Sequence, residues 1–282
     1  MTTKAYVVSA FTAGGKGGNK AGVVLDAGEL SADQMQAIAA ELGYSETAFV
    51  SGSDVATYKV RFFMPSAEVD LCGHATIATW SLMFQQGMVG DGTHSQETLA
   101  GKLEVAVTSD GAVFMQQTVP KFLEQVNPEE IKDSLNIELS DFDADLRPQI
   151  VSTGLRDLHV LVRSKDVLLN LQPNFAKMSD LSQKYDVLGL HVSALGDGEK
   201  CTAIARNFGP LVGIDEESAT GTSNGALLCY LKKYGKLEEK DLYLVEQGEG
   251  MGRLSNILGR FIDGRVWVGG RATVLEKRDL EV

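Results

Sequence analysis

The apolar positions of this 282-residue chain fall into short runs that predict alternating strands and helices. The segments AYVVSAF, GVVL, YKVRFFM and LHVLVR are rich in β-branched and aromatic residues, a composition typical of strands. The segment ETLAGKLEVAVTSDGAVFMQQTVP predicts a β-hairpin that turns at Ser109, Asp110 and Gly111. Residues 119–148 are polar and irregular in pattern, which predicts a crossover between two lobes.

The clearest helix prediction covers residues 31–43. Ser31 and Gln34 have the spacing of a capping box, and Gly43 is placed to end the helix. Between these signals an apolar stripe recurs at helical intervals, formed by Met35, Ile38, Ala39 and Leu42. The helix therefore has one apolar face.

One pattern occurs twice. Residues 61–80 read RFFMPSAEVDLCGHATIATW, and residues 206–227 read RNFGPLVGIDEESATGTSNGAL. In both, an Arg begins a strand-like run, a Pro ends it, and an acidic loop leads to a turn at Gly73 or Gly221 that opens a helix. The repeat predicts an α+β fold of two pseudo-symmetric lobes, each a mixed sheet wrapped around a central helix. Because a helix N-terminus binds anions, it also predicts an anionic small-molecule ligand.

The lobe boundaries follow from the crossover and from the last strand. We predict an N-terminal lobe of residues 1–118 plus 266–282 and a C-terminal lobe of residues 119–265. The final segment is assigned to the first lobe because its strand has no partner after it in the sequence. The active site is expected in the cleft between the lobes.

Composition narrows the functional classes. The net charge of −12 argues against nucleic acid or an anionic membrane surface as the main partner, because both attract basic proteins. The three cysteines form no C-x-x-C pair, which favours a reducing compartment over a disulfide framework. No apolar run has the length of a membrane span, and the N-terminus lacks a signal-peptide pattern. We therefore expect a cytoplasmic protein.

Six short motifs carry a resemblance to a known family. They are GGNKAG, SETAFV, LCGHAT, EESATGTSNG, EQGEGMGR and VWVGGRA. Together they resemble the PhzF-like family, named for the isomerase of phenazine biosynthesis, which belongs with the diaminopimelate-epimerase-like fold. The resemblance runs over the whole chain. It implies a cofactor-independent isomerase that moves a proton on a small carboxylic acid, and it implies a homodimer.

The resemblance also assigns residues. The catalytic residues it implies are Glu46, His74 and Glu217, with Glu46 as the proton shuttle. The substrate-binding residues it implies are Asn19, Gly73, Gly221 and Thr222. Three positions depart from the commonest family pattern: Glu217 stands for Asp, Thr222 for Ser, and Lys20 for Pro. The substrate is therefore not fixed by the resemblance.

Two alternatives stay open. Cys72 is placed to act as one base of a thiol-dependent racemase, but the matching position in the second half is Thr220, so a core role is the simpler interpretation. The other alternative is a binding protein for an acidic metabolite, without catalysis. His94, His159 and His191 are interpreted as structural or exposed, and no ligand spacing indicates a metal site.

Overall fold

Residues 2–281 of the chain are described by a computed structural model. The strands of this region are β1 (Thr2–Ala10), β2 (Asn19–Val24), β3 (Thr47–Ser51), β4 (Tyr58–Phe63), β5 (Glu68–Val69), β6 (Gly92–Thr98), β7 (Gly101–Val107), β8 (Val113–Gln116), β9 (Lys121–Gln125), β10 (Gln149–Ser152), β11 (Arg156–Leu161), β12 (Gly189–Leu195), β13 (Ala203–Gly209), β14 (Ile214–Glu217), β15 (Tyr243–Gln247), β16 (Ser255–Ile262), β17 (Arg265–Gly270) and β18 (Ala272–Glu281). The α-helices are α1 (Ala32–Leu42), α2 (Gly73–Gln85), α3 (Pro128–Leu135), α4 (Lys165–Leu169), α5 (Phe175–Tyr185) and α6 (Gly221–Lys233). Short 3₁₀ turns lie at Leu139–Asp141, Pro210–Val212 and Glu249–Met251.

The chain divides into two compact units. The first comprises the residues up to 116 and from 269 onward, and the second comprises residues 117–268. In the first unit the strand order is β18-β1-β2-β3-β4-β6-β7-β8. The pairs β2–β3 and β4–β6 are parallel and the others are antiparallel, so the sheet is mixed. β18 pairs with β1, so the last strand lies in the first unit.

Seven strands of the second unit repeat the arrangement of the first seven strands in that order. Their order is β9-β10-β11-β12-β13-β15-β16, and β11–β12 and β13–β15 are the parallel pairs. Each parallel pair therefore occupies the same place in the order as its counterpart in the first unit. In both units a short strand precedes the buried helix. In the first unit β5 pairs with β4, and in the second unit β14 pairs with β13. The topology confirms the α+β repeat that the two similar segments predict.

A buried helix lies in each unit. Nearly every residue of α2 is buried, which follows from the sequence ATIATWSLM, apolar or small on every face. This helix packs against strands from one end of its sheet to the other, from β18 and β1 to β7 and β8. The first unit therefore folds its sheet around α2. In the second unit α6 is also largely buried, and it packs on β10, β11 and β16.

An arginine–glutamate pair braces the loop before each of these helices. In the first unit Arg61 on β4 donates from Nε and Nη2 to the two carboxylate oxygens of Glu68, at 2.6 and 2.7 Å. In the second unit Arg206 on β13 makes the same two bonds to Glu216, at 2.9 and 2.8 Å. Planar, bidentate pairs of this kind fix orientation as well as distance. Each pair holds the acidic loop at a defined place before the glycine turn.

Most local predictions are confirmed, and one is wrong. Ser31 and Gln34 form the capping box at the start of α1, and Gly43 ends the helix with φ 68°. The hairpin of β7 and β8 turns at Gly111 as predicted. The prediction that residues 119–148 form an irregular crossover is wrong, because this segment contains β9 and α3.

The missed elements have local causes. Asn127 accepts a hydrogen bond from the Glu129 N–H at the start of α3, and Pro128 stands at the first helical position, where its missing N–H costs nothing. The buried side chains of Ile131 and Leu135 then anchor the helix to the core. The Asn-Pro pair was a usable signal. Within residues 2–281, the helices are all too short or too polar to cross a membrane.

Candidate active site

Glu46 lies just before β3, at the point where this strand begins to pair with β2. Its backbone carbonyl accepts a hydrogen bond from the Gly22 N–H at 3.0 Å. A Cβ atom at Gly22 would lie 2.5 Å from the Thr47 hydroxyl, so only glycine permits this approach of the two strands. The position of Glu46 is therefore set by rigid backbone, while its side chain stays 19% exposed.

The first turn of α2 carries the second part of the site. Cys72 occupies the N-cap position with extended backbone, and its side chain makes no capping hydrogen bond. Gly73 is the first helical residue and His74 the second, with the imidazole buried. Acidic side chains are absent from this first turn. The turn therefore presents backbone amides and the positive end of the helix dipole, the groups that bind a carboxylate.

The fold brings Glu46, Cys72 and His74 together around the imidazole. Glu46 Oε2 lies 3.2 Å from His74 Nε2, and Cys72 Sγ lies 3.3 Å from Nδ1 of the same ring. Ser45 Oγ is 3.3 Å from Nε2, on the exposed side. Although Oε2 is close to Nε2, the contact lacks hydrogen-bond geometry, and Oε2 is a buried oxygen without a hydrogen bond to any residue in 2–281. A buried carboxylate oxygen with no donor is costly to maintain in a structural role.

Sequence reasoning placed Cys72 in the core. The structure confirms that Cys72 is buried, but it also places the thiol against His74. The i and i+2 spacing at the start of a helix could have signalled this contact, whereas the approach of Glu46 depends on the tertiary fold. The other predicted residue of this unit, Asn19, begins β2 and pairs with Ala10 at the end of β1. It shares this strand with Gly22, which holds the Glu46 carbonyl.

The predicted residues of the second unit surround the turn before α6. Glu217 ends β14, and its Oε2 accepts a hydrogen bond from the Thr220 hydroxyl at 3.1 Å. Gly221 and Thr222 are the first two residues of α6. The Thr222 carbonyl accepts a bond from Thr153 Oγ1 at 3.1 Å, which ties the turn to the end of β10. This turn therefore offers hydroxyl groups, amides and one carboxylate.

Gln247, which sequence reasoning missed, organises this turn. Its side-chain N–H groups donate to the Glu217 carbonyl at 2.7 Å and to the Thr220 hydroxyl at 3.1 Å. Its Oε1 accepts from the Thr220 N–H at 3.2 Å and from Asn224 Nδ2 at 2.6 Å. A fully buried amide with four such bonds fixes the conformation of the whole turn. Gln247 belongs to the EQGEGMGR motif, which was the available signal.

A second buried carboxyl group lies behind the same turn. Asp157 at the start of β11 accepts a 2.6 Å hydrogen bond from Ser223 Oγ in the first turn of α6. Burial raises the pKa of Asp157 to about 6, opposed by the bond from Ser223 and assisted by the nearby charge of Glu217. This group was also missed, because a lone Asp beside an Arg in the segment LRDLHVLV gives no signal of burial.

The remaining histidines, interpreted from the sequence as structural or exposed, comprise two buried rings in the second unit and a partly buried ring in the first. His159 and His191 are fully buried on adjacent strands, with ring centroids 5.3 Å apart. Burial lowers the pKa of His191 to about 4 and also lowers the pKa of His159, so both rings are neutral. His191 is held by Asn207 and Asn224. His94 stacks on Trp80 in the first unit.

Comparison with known proteins gives a consistent result. The family model described as phenazine biosynthesis-like protein (PhzC-PhzF) matches residues 8–278. A Deinococcus radiodurans protein named "Uncharacterized isomerase" is 34% identical over 260 residues, 89% of this chain and 84% of its own length. The Bacillus subtilis "Uncharacterized isomerase YfhB" is 32% identical over 86% of this chain and 85% of its own. A crystal structure of a Bacillus anthracis phenazine biosynthesis protein of the PhzF family superposes with a TM-score of 0.90, at 28% identity and full coverage of both chains.

Proposed function

This chain belongs to the phenazine biosynthesis-like family and is an isomerase, and we propose that it moves a proton between two carbon atoms of a small carboxylic acid, with Glu46 as acid and base. The observation that carries the proposal is Glu46 Oε2, buried beside His74 and without a hydrogen-bond donor in residues 2–281. Such an oxygen can accept a proton from a substrate carbon without first giving up a hydrogen bond.

The reaction needs no co-reactant. A substrate C–H bond breaks, the proton passes to Glu46, and the electron pair moves into the conjugated system of the substrate. Glu46 then returns the proton to a different carbon, so atoms and electrons balance within one turnover. A base with a fixed attachment point suits this role because a small displacement of the base disrupts proton transfer. The hydrogen bond from the Gly22 N–H to the Glu46 carbonyl fixes the backbone that carries the side chain.

The other predicted residues would bind and orient the substrate. In the first unit, the backbone amides at Gly73 would hold a carboxylate, and His74 would stabilise charge that develops beside Glu46. In the second unit, Gly221 and Thr222 offer a second amide and hydroxyl group, and Glu217 would select an amino or hydroxyl substituent. Asn19 would contribute an amide that contacts the substrate from β2.

Deuterium exchange tests this proposal. Wild type and Glu46→Gln would be incubated in D₂O with a panel of small cyclic and amino-substituted carboxylic acids, and incorporation would be followed by mass spectrometry. We expect label with wild type and at least one panel member, and none with Glu46→Gln. An active Glu46→Gln enzyme would contradict the role of Glu46. A panel member that binds tightly but gains no label would instead indicate a binding protein.

A second candidate is a thiol-dependent transfer with Cys72 as one base, and the contact of Cys72 Sγ with His74 favours it. It is weakened by Thr220, the counterpart of Cys72 in the second unit, whose hydroxyl is already hydrogen-bonded to Glu217. Alkylation with iodoacetamide separates the two candidates. If alkylation stops exchange by wild type, a bound ligand protects against it, and Cys72→Ser remains active and insensitive to the reagent, then the thiol lies beside the active site but is not a base. Inactive Cys72→Ser would favour the thiol.

A further inference from the structure

Three potential metal ligands converge at the start of α2. One ligand atom each from Glu46, Cys72 and His74 lies within 4.8 Å of the other two. The three come from two different elements, since Glu46 precedes β3 while the others open α2. No spacing in the sequence could indicate this set, which is why sequence reasoning predicted no metal site.

The chemistry of the donors indicates the class of ion. A thiol, an imidazole and a carboxylate together match the ligands of Zn²⁺, whereas Mg²⁺ and Ca²⁺ require oxygen ligands. Zinc bonds of about 2.0–2.3 Å in tetrahedral geometry place neighbouring ligand atoms roughly 3.3–3.6 Å apart. Nε2 of His74 lies 3.2 Å from Glu46 Oε2 and 3.9 Å from Cys72 Sγ, values on either side of that range.

The ligands stand on rigid backbone. The Cys72 carbonyl accepts bonds from both the N–H and the hydroxyl of Thr76, at 3.0 and 2.8 Å, which fixes the first turn of α2. Glu46 is fixed by Gly22 on the neighbouring strand. The Glu46 side chain is 19% exposed, and the exposed residue Ser45 lies 3.3 Å from Nε2, so the cluster borders solvent at this side. Three protein ligands with an open fourth position are typical of accessible zinc sites.

We propose that Glu46, Cys72 and His74 form a Zn²⁺ site through which the metal reversibly inhibits this isomerase. On binding, the Cys72 thiol releases its proton to solvent as the sulfur–zinc bond forms, and no group changes oxidation state. The ion also occupies the buried oxygen of Glu46, so this oxygen can no longer accept a proton. Binding stands on the ligand geometry alone, whereas inhibition rests on the proposed function.

Cobalt substitution tests the site without any substrate. CoCl₂ would be titrated into the full-length protein and the absorption spectrum recorded, because a cobalt–thiolate bond gives a near-ultraviolet charge-transfer band. We expect one equivalent to produce this band, with ZnCl₂ abolishing it. Cys72→Ser should lose the band, and His74→Ala should weaken binding by more than about 100-fold, beyond the 10–100-fold typical of outer-shell changes. Cys201→Ser is the matched control, since this buried thiol lies in the second unit and should leave the titration unchanged.

The outcomes are separable. A band that persists in Cys72→Ser, a zinc affinity unchanged in His74→Ala, or no binding by folded wild type would each overturn the site. Circular dichroism of the variants distinguishes a lost ligand from a lost fold. If zinc binds but wild type still exchanges deuterium at saturating ZnCl₂, the inhibitory role is wrong. If wild type binds zinc and no panel acid ever exchanges, the proposed function fails while the metal site stands.

Discussion

The two glycine turns share a scaffold and differ in chemistry. Each follows a bidentate arginine–glutamate pair and each opens a buried helix, at Gly73 in the first unit and at Gly221 in the second. The first turn presents an imidazole and a thiol beside a carboxylate with an unsatisfied oxygen. The second presents hydroxyl groups that are already bonded to their neighbours. Both turns therefore offer a helix N-terminus that can bind an anion and a nearby carboxylate, but only the first also carries an imidazole and a thiol.

The copies also differ in how firmly each turn is held. The side chains of Arg206 and Glu216 are 10% and 14% exposed, against 25% and 23% for Arg61 and Glu68. Arg206 further donates to the carbonyls of Leu168 and Leu171. The second turn is thus locked by a buried network, whereas the first stays partly open to solvent around Glu46.

The largest difference is expected when each arginine is removed. Arg206→Met leaves the largely buried carboxylate of Glu216, 14% exposed, without its partner, which should cost about 3–5 kcal/mol in the free energy of unfolding. Arg61→Met leaves Glu68 without its partner, but this carboxylate is more exposed to water, so the change should cost only about 1–3 kcal/mol in the free energy of unfolding. Urea denaturation followed by tryptophan fluorescence and circular dichroism measures both. Equal losses would show that burial does not distinguish the two braces.

The next effect concerns pH and arises at the second turn. Asp157 has an ordinary pKa of 3.8 and a folded pKa of about 6, so the folded protein holds more protons than the unfolded chain between these values. Stability therefore falls as pH rises through this window, by about 3 kcal/mol in total. Asp157→Asn should remove that fall and so gain stability relative to wild type at pH 7.5 more than at pH 3.5.

Two comparisons control this measurement. Ser223→Ala removes the hydrogen bond that opposes the rise in the Asp157 pKa, so it should destabilise the protein and enlarge the fall in stability with rising pH. His159 and His191 act in the opposite direction, because burial lowers the pKa of each and stability is lost as pH falls below the ordinary value of 6.5. The difference between Asp157→Asn and wild type cancels that common contribution. If the difference in the free energy of unfolding between Asp157→Asn and wild type does not vary with pH, the raised pKa of Asp157 is wrong.

Much of the scaffold was predictable because its signals are local. The glycine turns, the capping box at Ser31 and the strand composition each act within a few residues, so the repeat and the α+β fold could be inferred. The contacts within the candidate site were harder to predict from the sequence. The approach of Glu46 to His74 and the four bonds of Gln247 join elements far apart in the chain, and no spacing encodes them. The element at β9 was missed because its side chains are mostly exposed and give no apolar pattern.

A smaller effect should follow from Gln247→Leu. It leaves the Thr220 N–H, the Glu217 carbonyl and Asn224 without buried partners, at a cost of about 1–3 kcal/mol. The matched change in the first unit is Ser45→Ala, which removes one contact from an exposed residue and should stay within about 0.5 kcal/mol. Thermal unfolding of both variants compares the two turns, and a larger loss for Ser45→Ala would reverse the proposed order of rigidity.

The smallest effect is expected at Thr222. Thr222→Ser keeps the hydroxyl and removes a methyl group that points toward Gly154, so the deuterium exchange rate should change by no more than about threefold, or roughly 0.5–1 kcal/mol. Thr222→Val keeps the shape and loses the hydroxyl, so it should weaken substrate binding more than Thr222→Ser. Equal behaviour of the two variants would mean that the Thr222 hydroxyl does not contact substrate.

The division of roles between the two turns is tested most directly by assigning the proton carrier. Deuterium incorporation and ligand affinity would be measured for wild type, Glu46→Gln and Glu217→Gln with one panel acid that wild type labels. The account predicts that Glu46→Gln still binds the acid but incorporates no deuterium, while Glu217→Gln binds it more weakly and retains measurable exchange. Exchange at the wild-type rate in Glu46→Gln, together with none in Glu217→Gln, would place the proton carrier in the second unit and contradict the account.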